Sequence, residues 1–388
     1  MSTVNNGPQI VRSGLILDLD ASYMRSYSPN VFPNPIDPYA WVVNGGAYQM
    51  TLSRDTTMTR QYGSIPLKIV TSGTAAYTNT YNASTWNLAP AANGQTWTFS
   101  FWTKGNSNYV ASAMIFEANS SGTYLTLGQT YYNVTTSWTR VSGTYTFSNA
   151  SAAYIQFRID NYNNGVTQWV DGIQVERASA ATNFNPYYFG NTVWKDVSGN
   201  NYTSTLTNGP TFSNSNGGSI LFDGTNDYVV SSNFTPNFST KTLSGWVKLS
   251  SVSQQGGGVV TLQSTDGLVF DSIVYNETGQ GWGFGSNGFS RTNWSGVSET
   301  STSVWVNITA TYENSNYRMY RNGILIYTLT SFGALNFNFN SNVQLAYRHL
   351  GSSGYLAATI SQGFVYNRAL SATEVSQNYE ATKTRFGL

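Results

Sequence analysis

The sequence predicts an all-β protein: two antiparallel β-sandwiches, one inserted into the other, with a short C-terminal helix. Three observations predict it. Aromatic residues make up 15% of the chain and glycines number 36, with Asn, Ser and Thr abundant beside them. Aromatic and β-branched side chains suit a pleated, half-buried surface, while Gly and Asn supply the turns. Apolar and polar residues alternate over many short runs, the period-two signature of strands. Finally, SPNVFPNPIDPY carries four of the ten prolines, a cluster that stops regular pairing and marks a boundary between units. A length of 388 residues leaves room for two or three domains.

In chain order, GLILDLD (14–20) is a strand with Leu15, Leu17 and Leu19 on one face and Ile16, Asp18 and Asp20 on the other. A new unit starts near Asn30. Strands are expected there at 66–72, 96–105, 124–129, 138–147, 152–160 and 167–176, separated by turn residues at the short intervals of a sandwich. ASAATNFNPYYFG has no period and reads as an exit linker. From Trp194 a second set follows: SILFDG, DYVVSS, then 242–250, 257–263, 267–275, 304–313, 317–329, 342–350 and 356–367. Arg321-Asn322-Gly323 lies between alternating runs, and Asn-Gly tolerates the positive φ of a type I′ hairpin turn. In SATEVSQNYEATK, Ser371 and Glu374 have capping-box spacing, and Val375 and Tyr379 share a helix face.

Composition excludes several function classes. A formal net charge of +1 with 10% charged residues gives no electrostatic pull towards nucleic acid or an acidic membrane. With no cysteine, disulfides and thiolate metal sites are ruled out. MSTVNNGPQIVRSG lacks the basic start and apolar core of a signal peptide, and no apolar run reaches membrane-spanning length.

The second set resembles the laminin-G-like, concanavalin-A-like jelly roll at GLILDLDAS, WKDVSGNNYTSTLTNGPTFSNSNGGSILFDGTNDYVV, LSGWVKLS, YRMYRNGILI and ISQGFVYNRALSATEVSQNYEATKTRFGL. The last of these is similar to the closing segment of virion proteins from tailed bacteriophages. In that family the first strand runs within a few residues into a Trp-x-Asp-x-Ser-Gly segment, but here residues 28–193 intervene. The resemblance therefore implies a discontinuous jelly roll, 1–29 plus 191–388, interrupted by a domain at 30–190. That insert in turn resembles carbohydrate-binding β-sandwiches through NVFPNP, TWTFSFWTKG, SWTRVSGTYTF and WVDGIQVE. Such modules often hold a structural calcium; Asp171 matches a ligand position on their last strand, and Asp37 is either its partner or the start of an Asp-Pro turn.

Catalytic signals are weak. Glycosidases on this scaffold need two carboxylates roughly 5–9 Å apart across a sugar, commonly as E-x-D-x-x-E on one strand, and that pattern is missing. Asp18 and Asp20 share a strand face, for which a solvated edge is the plainer reading. His349 is the sole histidine, and a lone strand histidine is more often structural than catalytic. No cofactor is required. A structural Ca2+ could sit near Asp171 or near Asp223, where Asp223-Gly224-Thr225-Asn226-Asp227 offers oxygens and a tight curve. The preferred reading of that loop is a hairpin turn whose Asp and Asn side chains bond their own backbone.

Binding has better candidates. Between Tyr275 and Trp294 aromatic residues alternate with glycines and amides, and Tyr275, Asn276, Trp282, Phe284 and Trp294 could meet the apolar faces and hydroxyl rims of sugars. The competing reading is core packing, because alternate residues of GWGFG point one way; the two are evenly balanced. Tyr77, Tyr81 and Trp86 in the insert form a second candidate, again against plain packing. The expected role is a non-enzymatic phage virion structural protein, as head decoration, neck or tail-associated fibre, that binds host or environmental surface glycans. One alternative is a purely structural virion protein packing against capsid or tail neighbours; another is a glycan-degrading enzyme. The expected partners are other virion proteins, cell-surface glycans and further copies of the chain in a homo-oligomer. Nucleic acid and membrane insertion are not expected. The expected location is the virion surface, after synthesis in the host cytoplasm.

Overall fold

The computed structural model describes residues 8–23, 25–32, 50–58, 65–72, 77–78 (backbone only), 87–185, 192–213, 215–314, 316–330 and 334–388. The chain divides into two compact units, Met1–Tyr27 with Thr192–Leu388, and Ser28–Asn191. Both are antiparallel sandwiches.

In the first unit, the sheet that carries the chain's opening strand is built around the long strand Ala357–Tyr366. Lys241–Leu249 pairs along one side of it, while Ser219–Asp223 and Leu15–Asp20 lie end to end along the other. Val306–Tyr312, Asn316–Arg321 and Ile324–Thr330 continue the sheet outward. The opposite sheet runs from Val193–Trp194 through Ser204–Thr207, Tyr228–Ser231, Ser341–Leu345, Gly257–Ser264, Phe270–Tyr275 and Trp282–Ser286 to Asn293–Trp294. Alternation explains the core between them. Leu17, Leu19, Phe222, Ile308 and Ile360 point inward from one sheet, and Trp194, Val229, Leu262, Trp282 and Phe284 from the other. Where the opening strand ends, Tyr27 bridges to Trp194 and the amide of Lys195 donates to the carbonyl of Ser26 at 2.7 Å.

The Asp223–Asp227 loop departs from expectation. Ser219–Asp223 pairs with Thr211–Ser213 and Ala357–Tyr366 in one sheet, whereas Tyr228–Ser231 pairs with Ser204–Thr207 and Ser341–Leu345 in the other. The loop is thus an arch between sheets, not a hairpin turn. Its local bonding follows the sequence reading: Asp223 Oδ1 accepts from the amide of Thr225 at 2.7 Å, and Asp227 Oδ2 from the amide of Asp223 at 3.2 Å. Gly224 has φ +77°, and a Cβ there would strike Ala357.

Other local expectations hold. Asn322 and Gly323 have φ of 51° and 75° between Asn316–Arg321 and Ile324–Thr330, as a type I′ turn requires. The helix Ala372–Thr382 starts with a complete capping box at Ser371 and Glu374. Val375 is buried, and Tyr379 stacks on Trp246 at 5.8 Å.

The second unit packs Met50–Arg54, Leu67–Thr71, Thr167–Glu176, Thr96–Gly105 and Thr139–Thr146 against Tyr77–Thr78, Ala89–Pro90, Tyr154–Asp160, Tyr109–Ala118 and Tyr124–Val134. Trp97, Phe99 and Phe101 face Ile115, Phe157 and Ile159 across its core. The segment read as a free exit linker packs onto this unit as far as it is described. Thr182 is buried and its hydroxyl donates to Glu176 Oε2 at 2.7 Å.

Candidate functional site

The sequence places its binding candidates along YNETGQGWGFGSNGFSRTNW, and the fold separates them. Tyr275 ends one strand of the second sheet, and Trp282 and Phe284 lie on the next, all with inward-facing side chains and 0% exposure. Period two aims the rings into the core, so the packing reading holds for these three and they present no face to a sugar. Trp282 still needs a partner for its indole N–H: it donates to Glu299 Oε1 at 2.7 Å, while Arg321 grips the same carboxylate through two hydrogen bonds of 2.8 Å. Burial pushes the Glu299 carboxyl up, but the Arg321 and Trp282 hydrogen bonds outweigh it and hold the group below its ordinary value. Asn276 is a turn residue with φ 57°, its side-chain oxygen accepting from the amide of Gly281 at 3.2 Å. Trp294 is half-buried over Gly283, where a Cβ would collide with its ring.

In the insert, the backbone of Tyr77 lies in a short strand paired with Asp160. Tyr81 and Trp86 lie outside the described residues. Asp171 is buried, with Oδ1 accepting from the amide of Gly172 at 2.7 Å, and Asp37 is outside the described residues. Among the described residues no group of three or more His, Cys, Asp or Glu side chains is placed to hold a metal.

What the same stretch does present is Phe289. Its ring is 63% exposed, and its backbone sits in the left-handed region at φ 57°, directly after Gly288 at φ 56°. A bulky residue there is an outlier that the surrounding structure must enforce. The enforcement comes from Arg291. Its guanidinium donates to Asn287 Oδ1 at 2.9 Å, the carbonyl of Phe270 at 3.1 Å and Asp271 Oδ1 at 3.1 Å, and its amide donates to Ser286 Oγ at 2.7 Å. Asp271 is in turn held by Lys241 at 2.8 Å, a pair with almost no exposure. Burial holds the Lys241 ammonium below its ordinary value, with Asp271 opposing that shift.

Beside Phe289 lies a cleft of about 290 Å³, with Leu268 on its lip and Glu277, Asn287, Arg348 and His349 around it. Leu268 is 71% exposed. His349 stacks on Phe270 with ring centroids 4.2 Å apart, and burial, with the neighbouring Arg348, pushes its imidazole down to about 4. It is therefore neutral at ordinary pH. Glu277 is ion-paired with Arg348. The cleft thus holds a carboxylate already paired with a guanidinium and a weakly basic imidazole, a poor set for acid–base work but a suitable one for binding: an exposed ring on a fixed loop, with an amide and a guanidinium beside it. Leu268 and Arg348 join Phe289 only through tertiary pairing; the sequence signal for Phe289 itself was an aromatic residue set in the Ser-Asn-Gly-Phe-Ser turn.

Residues 223–376 match a laminin-G family model described as the concanavalin A-like lectin/glucanases superfamily. That match and the two-sheet architecture identify the jelly roll of the first unit. No curated protein sequence matches the chain. Among solved structures, domain 4 of AbnA, an extracellular arabinanase from Geobacillus stearothermophilus, in complex with arabinotriose, is 15% identical. Its TM-score is 0.42, over 48% of this chain and 92% of that one. A botulinum neurotoxin type C structure, described as dependent on two ganglioside molecules for cell entry, is 15% identical with a TM-score of 0.38, over 50% of this chain and 49% of that one. The serotype D ligand-binding domain in complex with N-acetylneuraminic acid is 13% identical with a TM-score of 0.35, over 48% of each chain. The chain spans about half the length of these toxin structures. Among the described residues, no helix is long and apolar enough to cross a membrane.

Proposed function

We propose that this chain is a non-enzymatic glycan-binding protein of a tailed-bacteriophage virion, and that Phe289 is the ring on which a sugar stacks. The observation that carries the binding role is the exposure of Phe289 on a loop pinned by Arg291 beside a polar cleft. Holding a large apolar ring in solvent on strained backbone opposes stability, and such strain concentrates at binding sites. The virion setting is supported by the resemblance of the closing segment, and the absence of catalysis by the missing carboxylate pattern. On this reading the partners are cell-surface glycans and neighbouring virion proteins.

The test is a glycan array probed with wild type and Phe289→Ala. Binding by wild type that falls at least roughly tenfold in the variant, about the loss expected for one stacking ring, supports the assignment, provided circular dichroism is unchanged. Equal binding by both proteins removes Phe289 from the site. Release of oligosaccharides from any array sugar would overturn the non-enzymatic reading.

A second reading, a purely structural virion protein, is favoured by one observation. Ile324 and Leu325, 70% and 49% exposed, lie on Ile324–Thr330, the outermost strand of its sheet among the described residues. An apolar sheet edge suits pairing with a neighbour. Silence on arrays together with stable self-association would favour it.

A further inference from the structure

We propose that the cleft of the jelly-roll unit lying between residues 8–12 and the C-terminal helix binds a primary ammonium group, received by Asp18 Oδ1 and Gln362 Oε1. This site is separate from Phe289 and does not rest on the glycan reading.

The cleft measures about 680 Å³ and is lined by Asp18, Gln362 and Phe364 from the sheet, Ile10 from the N-terminal segment, and Glu380 and Thr382 from the helix. Strand pairing brings the floor together: Asp18 lies opposite Phe364, and Asp20 opposite Gln362. Asp18 and Gln362 are each 4% exposed, yet among the described residues Asp18 Oδ1 and Gln362 Oε1 have no hydrogen-bond partner. The amide of Gln362 is oriented by its neighbour, since Nε2 donates to Asp20 Oδ2 at 2.6 Å, and this leaves the oxygen free. Buried acceptors without donors are rare and costly, so two of them lining one cleft call for something that donates.

The nearby cationic side chains are already engaged. Arg385 bonds Asp20 Oδ1 at 2.8 Å, and Arg12, itself 63% exposed in its side chain, reaches only the other oxygen of Asp18 at 3.2 Å. Lys383 pairs with Glu380 at 2.8 Å. A hydroxyl would bring a lone pair along with its proton, whereas an ammonium offers three donors and no acceptor, which matches two bare oxygens. The Phe364 ring among the lining residues also favours a cation. Calcium fits less well. It wants six to eight oxygens, and Asp20 is already occupied by Ser22, Gln362 and Arg385. The walls are fixed in advance: the amide of Val11 donates to Asn378 Oδ1 at 2.7 Å, and Gln377 Nε2 to the carbonyl of Gln9 at 2.7 Å.

An amino sugar and an alkylamine both carry the required group. Isothermal titration of the full chain with D-glucosamine, D-glucose and n-butylamine separates them. Millimolar binding of glucosamine without binding of glucose is expected, and Asp18→Asn should weaken it roughly tenfold, the loss of a charge-assisted hydrogen bond, with an unfolding midpoint no lower than that of wild type. Butylamine as tight as glucosamine upholds the site for amines generally; glucosamine alone upholds it for amino sugars. Glucose binding as well as glucosamine overturns the proposal, as does silence with both amines, which would leave the two oxygens to water. Unchanged affinity in Asp18→Asn, or Ca2+ displacing glucosamine, also overturns it. The comparison of glucosamine with glucose on wild type needs no variant and stands if Asp18→Asn does not fold.

Discussion

Burial, reinforced by the carboxylate of Asp20 and opposed by Arg12, raises the carboxyl of Asp18 from 3.8 to about 7. Between those values the native state holds a proton that the unfolded chain has released, so stability falls as pH rises through the window. Above it the full penalty applies, about 4 kcal/mol. Asp18→Asn removes the titration. Urea unfolding of the jelly-roll unit should show the variant gaining on wild type from pH 4.5 to pH 8; a difference that stays flat with pH would mean that Asp18 is ionised throughout. The residue scale is also where the sequence was least legible. Trp282 and Phe289 sit seven positions apart in one glycine-rich stretch, one fully enclosed and the other in solvent. Local spacing predicts which rings share a strand face, but which face is covered depends on strands brought in from elsewhere in the chain.

Elements were readable where apolar and polar residues alternate along the chain, even in strands whose polar face is itself covered. Thr96–Gly105 and Thr167–Glu176 have the bounds that alternation gave them. Tyr109–Ala118 had no such signature: Ala111 to Ala118 are all buried, and Ala113-Met114-Ile115-Phe116 sets four apolar residues in a row, which leaves no period-two contrast. The Asp223–Asp227 arch was misread for a related reason. Alternation on either side of a tight loop looks the same whether the two strands pair with each other or face across a core. The C-terminal helix was legible because its cap is local. Ser371→Ala removes the hydroxyl that accepts from the amide of Glu374 at 3.3 Å and should lower stability by about 1 kcal/mol, measurable as a shift in urea midpoint. Glu374→Gln should lose less, since an amide keeps an acceptor for the amide of Ser371.

Within the jelly roll as a whole, Lys241 and Asp271 join opposite sheets through a pair with almost no exposure. Lys241→Ala leaves the carboxylate in the core with only Arg291 and should lower stability by about 3 kcal/mol, whereas Lys241→Met combined with Asp271→Asn should recover most of the loss. A double-mutant cycle by urea denaturation checks this, and additive losses would deny the coupling. The bridge between Tyr27 and Trp194 makes a second prediction. Replacing residues 28–191 by a Gly-Ser loop of about four residues, the length natural connections favour, should leave the jelly roll folded with a single cooperative transition. A broad, non-cooperative transition would mean that the insert is needed for its integrity. Asp20 and Gln362 are register partners 342 positions apart, and this separation has a kinetic consequence. On the ribosome the opening strand must wait, apolar face uncovered, until nearly all of the chain has emerged, whereas every strand of the insert is synthesised before residue 192. Assembly therefore runs from the middle outward: the interrupting sandwich can be finished while the one that surrounds it has not yet met its final strand.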